Sequence, residues 1–211
     1  MDIGIIDKIK KIIRGDEYVA SHDYYHLERV YNNVVAICKT ENISENESIL
    51  IMAAALMHDI SRKKVSYKER NDHELDSDEK ATRILKSFNV QSDEINLIVE
   101  CIVNHRASKK LQTNNPCVKI LQDADRLDAL GAIAIARTFS YDSERPIYLP
   151  DLPPKKEYDG ISFSSMNHIT EKLLKLTPDT FNTYAARKIA EKRLEFTQSF
   201  VDEFMDEWYN Y

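Results

Sequence analysis

The chain contains one long run of apolar residues that ends in an ionisable pair. The nine residues of 49–57 are all apolar, and His58 and Asp59 follow them directly. A run of this length without a polar break predicts a helix that is buried on every side. Burying a histidine and a carboxylate at its end is unfavourable unless a partner compensates for their lost hydration. A metal ion is one such partner, since imidazole nitrogen and carboxylate oxygen can both coordinate it.

The glycine content and the apolar spacing predict an all-α fold. Only four glycines occur in 211 residues, and apolar residues recur with a period of about 3.6 residues along most of the chain. The predicted helices cover about 3–14, 22–37, 45–58, 74–88, 92–105, 116–137, 164–176 and 178–208, with Ser21 and Ser92 as N-caps. A single domain over 1–211 suits this length. Four of the six prolines predict an extended loop at about 140–162.

Charge, hydropathy and cysteine content exclude several classes of protein. A formal net charge of −6 argues against a general nucleic-acid partner, although a local basic patch could still hold a small anionic substrate. No apolar run approaches the roughly 20 residues that span a bilayer, so no membrane partner is expected. No signal peptide is expected, and we interpret Cys38, Cys101 and Cys117 as reduced core residues of a cytoplasmic protein.

Further potential ligands lie in two other predicted helices. His26 lies in one of them, and acids at 123, 125 and 128 lie in the other. These acids cannot share one face, because each residue turns a helix by about 100°, so one or two of them can point into a common site. Two histidines and two aspartates without a thiolate suit Mn²⁺, Mg²⁺, Co²⁺, Ni²⁺ or Fe²⁺ better than a closed structural zinc site. Such an ion would polarise a phosphoryl group and activate water.

In order and spacing, His26, His58–Asp59 and Asp125 resemble the H…HD…D signature of the HD-domain metal-dependent phosphohydrolase superfamily. Segments 26–30, 123–132, 168–174 and 190–193 are similar to a bacterial branch that includes nucleotide pyrophosphohydrolases, so the resemblance covers nearly the whole chain. It implies a single HD-type helical bundle and a divalent metal held by His26, His58, Asp59 and Asp125. Among the three acids, Asp125 is preferred because the superfamily's last ligand falls in an Ala-Asp-Arg/Lys-Leu context.

The resemblance also implies hydrolysis of a phosphoester or a phosphoanhydride. We expect a nucleoside triphosphate or a related small phosphorylated metabolite as substrate and Mn²⁺ as the metal. Asp59 or Asp128 is expected to orient or deprotonate the attacking water. The alternatives are a phosphomonoesterase, a phosphodiesterase, or a non-catalytic nucleotide-binding module. An intact metal-ligand set argues against the binding module, which has no need for an open metal site.

Several other residues are candidates for contact with the phosphates. Arg62 and Lys63 directly follow the His-Asp pair and could neutralise charge on the leaving group, although an ordinary solvated loop explains them equally well. The candidates for substrate binding are Arg29, His73, His105 and Arg126. His73 and His105 could instead hold a second metal or be structural. A homodimer is possible, because the C-terminal aromatic residues could pack on a second chain; these are Phe204, Trp208, Tyr209 and Tyr211. The alternative is that they pack on the chain's own first helix.

Overall fold

A computed structural model describes residues 1–15, 24–61, 73–106, 113–141 and 144–210, with the backbone alone over 73–76. The regular secondary structure in these ranges is entirely helical, which confirms the predicted all-α class. The helices are α1 (Gly4–Ile13), α2 (Tyr24–Cys38), α3 (Glu45–Met57), α4 (His73–Ser87), α5 (Ser92–Val103), α6 (Pro116–Leu127), α7 (Ala132–Tyr141), α8 (Ser165–Glu171) and α9 (Tyr184–Tyr209). Short 3-10 helices cover Leu173–Lys175 and Pro178–Thr180. No described helix is long and apolar enough to cross a membrane.

The contacts of the chain divide it into two compact units, Met1–Asp125 and Arg126–Tyr211. The single domain over 1–211 stays a prediction. Residues 144–164 lie outside the α-helices, in the part of the chain where the prolines predict an extended loop.

Helix α3 lies at the centre of the first unit because nearly all of its side chains are apolar. Ile51 and the five residues that follow Met52 have no exposed surface, and α3 packs against α1, α2, α4 and α5. A capping box begins the helix: Ser44 Oγ accepts from the backbone N–H of Glu47, whose carboxylate accepts from the N–H of Ser44. The C-cap is His58. The ionisable pair therefore stands where the most buried helix ends.

The second unit has its own apolar core and an aromatic group near its C-terminus. The core contains Ala134, Ile135, Met166, Ile169, Leu173 and Val201, contributed by α7, α8, α9 and the 3-10 helix after α8. The ring of Tyr148 packs edge-on against the rings of Phe204, Trp208 and Tyr209. Trp208 and Tyr209 remain about half exposed. The homodimer stays a prediction.

The structure corrects three predicted helix limits. The segment 116–137 is not one helix, because α6 ends at Leu127 and α7 begins at Ala132, with Gly131 at a φ of +83° between them. Pro178 begins only a 3-10 helix, and α9 starts at Tyr184, where Thr183 Oγ1 caps the N–H of Ala186. Ser92 is the first residue of α5 and not its cap, which is Gln91. The predicted cap Ser21 lies outside the described residues.

Candidate metal centre

Five ionisable side chains from four parts of the first unit meet in one place. His26 lies in the first turn of α2, His58 and Asp59 follow α3, His105 follows α5, and Asp125 lies in α6. We call these five residues the His–Asp cluster. The potential ligand atoms of two overlapping triads, His26–His58–Asp125 and His58–Asp59–His105, all lie within 4.8 Å of one another in each triad. The structure thus brings together the four predicted metal ligands and adds His105 to them.

The Nε2 atoms of the three histidines face carboxylate oxygens at distances longer than a hydrogen bond. Asp125 Oδ1 lies 3.5 Å from Nε2 of His26 and 3.7 Å from Nε2 of His58. Asp59 Oδ2 lies 3.9 Å from Nε2 of His58, and Asp59 Oδ1 lies 3.8 Å from Nε2 of His105. Direct hydrogen bonds would be shorter, about 2.9 Å. These separations leave room for a metal ion between the imidazole nitrogens and the carboxylate oxygens.

Backbone carbonyls orient two of the imidazoles. Nδ1 of His58 lies 2.8 Å from the carbonyl oxygen of Ala55, and Nδ1 of His105 lies 2.6 Å from that of Ile102. A carbonyl oxygen only accepts, so each Nδ1 must donate a proton, and in the neutral ring the lone pair is then on Nε2. Both lone pairs consequently face the carboxylates. This is the arrangement that metal-binding histidines use, with the second ring nitrogen held by a backbone acceptor.

Burial and charge favour a neutral histidine and an ionised aspartate in the cluster. Burial lowers the pKa of His105, and the nearby His58 lowers it further, which favours its neutral, metal-binding form. Burial opposes ionisation of Asp125, but the electrostatic influence of His58, His26 and His105 outweighs it and holds the pKa of this carboxyl below its usual value. Asp125 also has the most exposed side chain of the five, at 27%. The cluster therefore combines lone-pair donors with at least one anionic oxygen.

The donor set fits a divalent cation. Nitrogen and carboxylate oxygen donors without a thiolate suit Mn²⁺, Fe²⁺, Co²⁺ and Ni²⁺, and they match an open site better than a closed structural zinc site. Nε2 of His58 supports the fit independently, because it is fully buried and has no hydrogen bond within the described part of the chain. A buried acceptor without a hydrogen bond is costly, and coordination to a cation would satisfy it.

Asp128 and Arg126 belong to the second unit, where both make close polar contacts. Asp128 is buried, its Oδ2 accepts from Arg137 at 2.5 Å, and its carbonyl oxygen accepts from the same guanidinium at 3.1 Å. Arg126 donates to the carbonyl oxygen and the hydroxyl of Thr180, at 2.5 Å and 2.7 Å, and its guanidinium lies 4.4 Å from the ring centre of Phe181. The catalytic and substrate-binding roles of these two residues stay predictions.

The remaining candidates lie beside the cluster in sequence. Arg29 is one turn after His26 on α2 and partly exposed. Arg62 and Lys63 lie outside the described residues, as does the side chain of His73, the first residue of α4. Their roles stay predictions as well.

Three polar residues that were not predicted hold the segments carrying the cluster. Lys80 donates from Nζ to the carbonyl oxygen of Ile60, the residue after Asp59, at 3.4 Å. Asn33 donates to the carbonyl oxygen of Ala124, and Gln122 donates to that of Asn104. Only Asn33 has a signal in the sequence, because it lies seven residues after His26 and so on the same face of α2.

Comparison with known proteins agrees with this geometry. The HD domain family matches residues 23–130, a range that includes the whole His–Asp cluster. Protein YpgQ of Bacillus subtilis (strain 168) is 30% identical over 186 residues, covering 86% of this chain and 82% of YpgQ.

Solved structures extend the likeness to almost the full length. An HD-superfamily hydrolase from Bacillus thuringiensis has a TM-score of 0.74 and 32% identity, covering 97% of both chains. The structure of Bacillus subtilis YpgQ in complex with ADP has a TM-score of 0.72 and 26% identity, covering 96% of this chain and 97% of the other. The matched segment, the similar folds and the buried His–Asp cluster lead to one conclusion: this chain belongs to the HD-domain superfamily of hydrolases.

Proposed function

We propose that this protein uses a divalent metal, with Mn²⁺ as the first choice, to hydrolyse nucleoside triphosphates or related small phosphorylated metabolites. The observation that carries the proposal is the His–Asp cluster, in which three imidazole nitrogens face two carboxylates at 3.5–3.9 Å. A buried group of this composition has little structural value by itself, because removing ionisable side chains from water is unfavourable. Its composition suits metal-assisted phosphoryl chemistry.

His26, His58, Asp59 and Asp125 would hold the cation, with His105 as a further donor. When bound, the cation would polarise the phosphoryl group and make water a better nucleophile. The protein's own contribution is to keep these donors in position with the correct ring nitrogen exposed. The carbonyl oxygens of Ala55 and Ile102 do this for His58 and His105.

Asp59 is better placed than Asp128 to orient the attacking water. Each of its oxygens faces a different imidazole, so the carboxylate lies inside the group of potential ligands. Asp128 instead accepts a hydrogen bond from the Arg137 guanidinium, and this contact stabilises the charged carboxylate and weakens it as a base. In this proposal Asp128 keeps Arg137 and the start of α7 in place.

Cationic side chains would hold the phosphates of the substrate and offset the charge that develops on the leaving group. Arg29 lies on α2 with His26, and Arg62 and Lys63 follow the His58–Asp59 pair directly. Arg126 and His73 complete the predicted set. We add Lys80, since its ammonium group binds the carbonyl oxygen of Ile60 beside Asp59.

A nucleotide is the favoured substrate class because of the likeness to YpgQ, whose structure contains ADP. A diphosphate bound to a protein of similar fold supports recognition of a nucleoside polyphosphate by this chain. The pyrophosphohydrolase reaction would release pyrophosphate from a triphosphate, whereas a phosphatase would release phosphate.

The experiment that tests the proposal separates these two products. Metal-free protein is incubated with Mn²⁺, Mg²⁺, Co²⁺ or Ni²⁺ and a panel of nucleoside tri-, di- and monophosphates, and pyrophosphate and phosphate are measured separately. We expect metal-dependent release of pyrophosphate from triphosphates. His58→Ala should abolish turnover and weaken metal binding strongly, because it removes the histidine that both triads share.

A matched control is His168→Ala, which removes a histidine of the second unit that is not part of the cluster. It should retain metal binding and turnover. Release of phosphate alone would reassign the reaction to a phosphatase. Tight nucleotide binding without any product would support a binding module, and full activity of His58→Ala would overturn the metal mechanism.

A further inference from the structure

We infer that two buried side-chain amides, Asn33 and Gln122, are positioning residues that set where Asp125 and His105 stand in the metal centre. The inference rests on the proposed function, because it concerns the same cluster. Neither residue belongs to the cluster, and each acts through a backbone peptide that leads directly into a residue of the cluster.

Asn33 links the helix that carries His26 to the helix that carries Asp125. Its Nδ2 donates to the carbonyl oxygen of Ala124 at 2.9 Å, in a bond that is buried and joins residues 91 positions apart in sequence. The carbonyl of Ala124 belongs to the peptide unit whose nitrogen is that of Asp125. Because this unit is planar and rigid, holding its oxygen also restrains the Cα atom from which the Asp125 carboxylate projects.

Gln122 makes an equivalent bond from α6 to the residue after α5. Its Nε2 donates to the carbonyl oxygen of Asn104 at 2.8 Å, and this carbonyl belongs to the peptide unit that leads into His105. Asn104 is the C-cap of α5, so its carbonyl lies past the last regular turn, where a side-chain donor is needed. Gln122 thereby ties the end of α5 to α6.

The two bonds connect three of the elements that carry the cluster. Asn33 joins α2 to α6, and Gln122 joins α6 to the end of α5. Metal coordination tolerates ligand displacements of only a few tenths of an ångström, so the relative placement of these elements controls affinity. Outer contacts that orient ligands typically change metal affinity by roughly 10–100-fold when they are removed.

A third buried amide provides the control. Asn167 has no exposed surface and donates from Nδ2 to the carbonyl oxygen of Leu152 at 2.9 Å, the same kind of bond as that of Asn33. It belongs to the second unit, where it holds the 144–164 segment to α8. Asn167 Oδ1 also accepts from Ser164 Oγ at 2.7 Å, so the loss of Asn167 should destabilise the fold without changing the ligands of the metal.

The test compares Asn33→Leu and Gln122→Met with Asn167→Leu in the full-length protein. Both substitutions in the first unit replace an amide by an apolar side chain of similar length, so the donor is removed and the helix is retained. Titration calorimetry of metal-free protein measures the Kd for Mn²⁺, the visible absorption spectrum of the Co²⁺-loaded protein reports ligand geometry, and urea unfolding of the metal-free protein measures stability.

We expect Asn33→Leu and Gln122→Met to raise the Mn²⁺ Kd by roughly 10-fold or more and to alter the Co²⁺ spectrum. Asn167→Leu should lower the urea midpoint while leaving the Kd and the spectrum as in the wild type. Wild-type affinity and spectrum in both Asn33→Leu and Gln122→Met would overturn the inference while leaving the metal site intact. Gln122→Met decides the question by itself if Asn33→Leu does not fold. A wild-type protein that binds neither Mn²⁺ nor Co²⁺ would overturn the proposed function, and this inference with it.

Discussion

Nε2 of His105 lies 3.8 Å from Oδ1 of Asp59, while Nε2 of His58 lies 3.9 Å from Oδ2 of the same carboxylate. Asp59 therefore presents each of its two oxygens to a different imidazole. Both imidazoles are anchored through Nδ1, so in the neutral rings a nitrogen lone pair faces a carboxylate oxygen on both sides of Asp59. Two such contacts are unfavourable unless a proton or a cation lies close by, and a cation bound by Asp59 and His105 would relieve both.

This relationship predicts that His105→Gln weakens metal binding. The expected rise in the Mn²⁺ Kd is roughly 10-fold, smaller than the effect of His58→Gln because His58 belongs to both triads. Calorimetric titration of the metal-free variants measures both values. His168→Gln is the matched control, since it makes the same change in a histidine outside the cluster. An unchanged Kd together with a raised KM would assign His105 to substrate binding alone.

The residues that could be predicted from the sequence are those with a local signal. His58 and Asp59 are conspicuous because an uninterrupted apolar run precedes them, and α3 is as buried as that run requires. His105 follows a helix as a single residue with no spacing pattern, so its approach to Asp59 depends on how α3 and α5 pack. The bonds of Asn33 and Gln122 likewise depend on contacts between helices that are distant in sequence.

The break between α6 and α7 shows another limit of local patterns. Leu127, Leu130 and Ala134 keep a helical spacing across it, and this spacing predicts one continuous helix. The structure ends α6 at Leu127 because the backbone turns at Gly131, whose N–H donates to the hydroxyl of Thr197 at 2.9 Å. A contact with α9 therefore overrides the helical preference of the segment.

We expect the burial of His168 to make the folded protein less stable in mild acid. Burial, reinforced by the charges of Lys172 and Arg145, lowers the pKa of His168 from 6.5 to about 4. Between these two pH values the unfolded chain binds more protons at His168 than the folded chain does. The free energy of unfolding is therefore highest above about pH 6.5 and decreases as the pH falls toward 4. Between pH 7 and pH 5 the loss should be about 2 kcal/mol.

Urea unfolding at pH 7 and at pH 5, for the wild type and for His168→Gln, measures this contribution. Glutamine does not titrate, so the variant should lose less stability on acidification than the wild type. Equal losses in the two proteins would show that other groups cause the acid sensitivity.

The cysteines should be inert in the folded protein. Burial raises the pKa of the Cys101 and Cys38 thiols, and it raises that of Cys117 to about 11. At pH 8 about one thousandth of Cys117 would be thiolate, the form that reacts with alkylating agents. Alkylation by iodoacetamide, followed by mass spectrometry, should be slow in buffer and complete for all three thiols in urea. Rapid labelling of Cys101 or Cys117 in buffer would contradict the buried positions of these thiols.

Gly131→Ala should destabilise the second unit more than the same change at Gly160. Both glycines have positive φ angles, +83° and +99°, so alanine brings backbone strain of about 1–3 kcal/mol at either position. At Gly131 the added Cβ would also lie 3.3 Å from Cγ of Arg193, whereas at Gly160 no atom lies within 4 Å. Arg193 cannot move away freely, because its guanidinium donates to the carbonyl oxygen of Leu127 at 2.6 Å. Urea midpoints of the two variants measure the difference, and equal shifts would mean that Arg193 yields without cost.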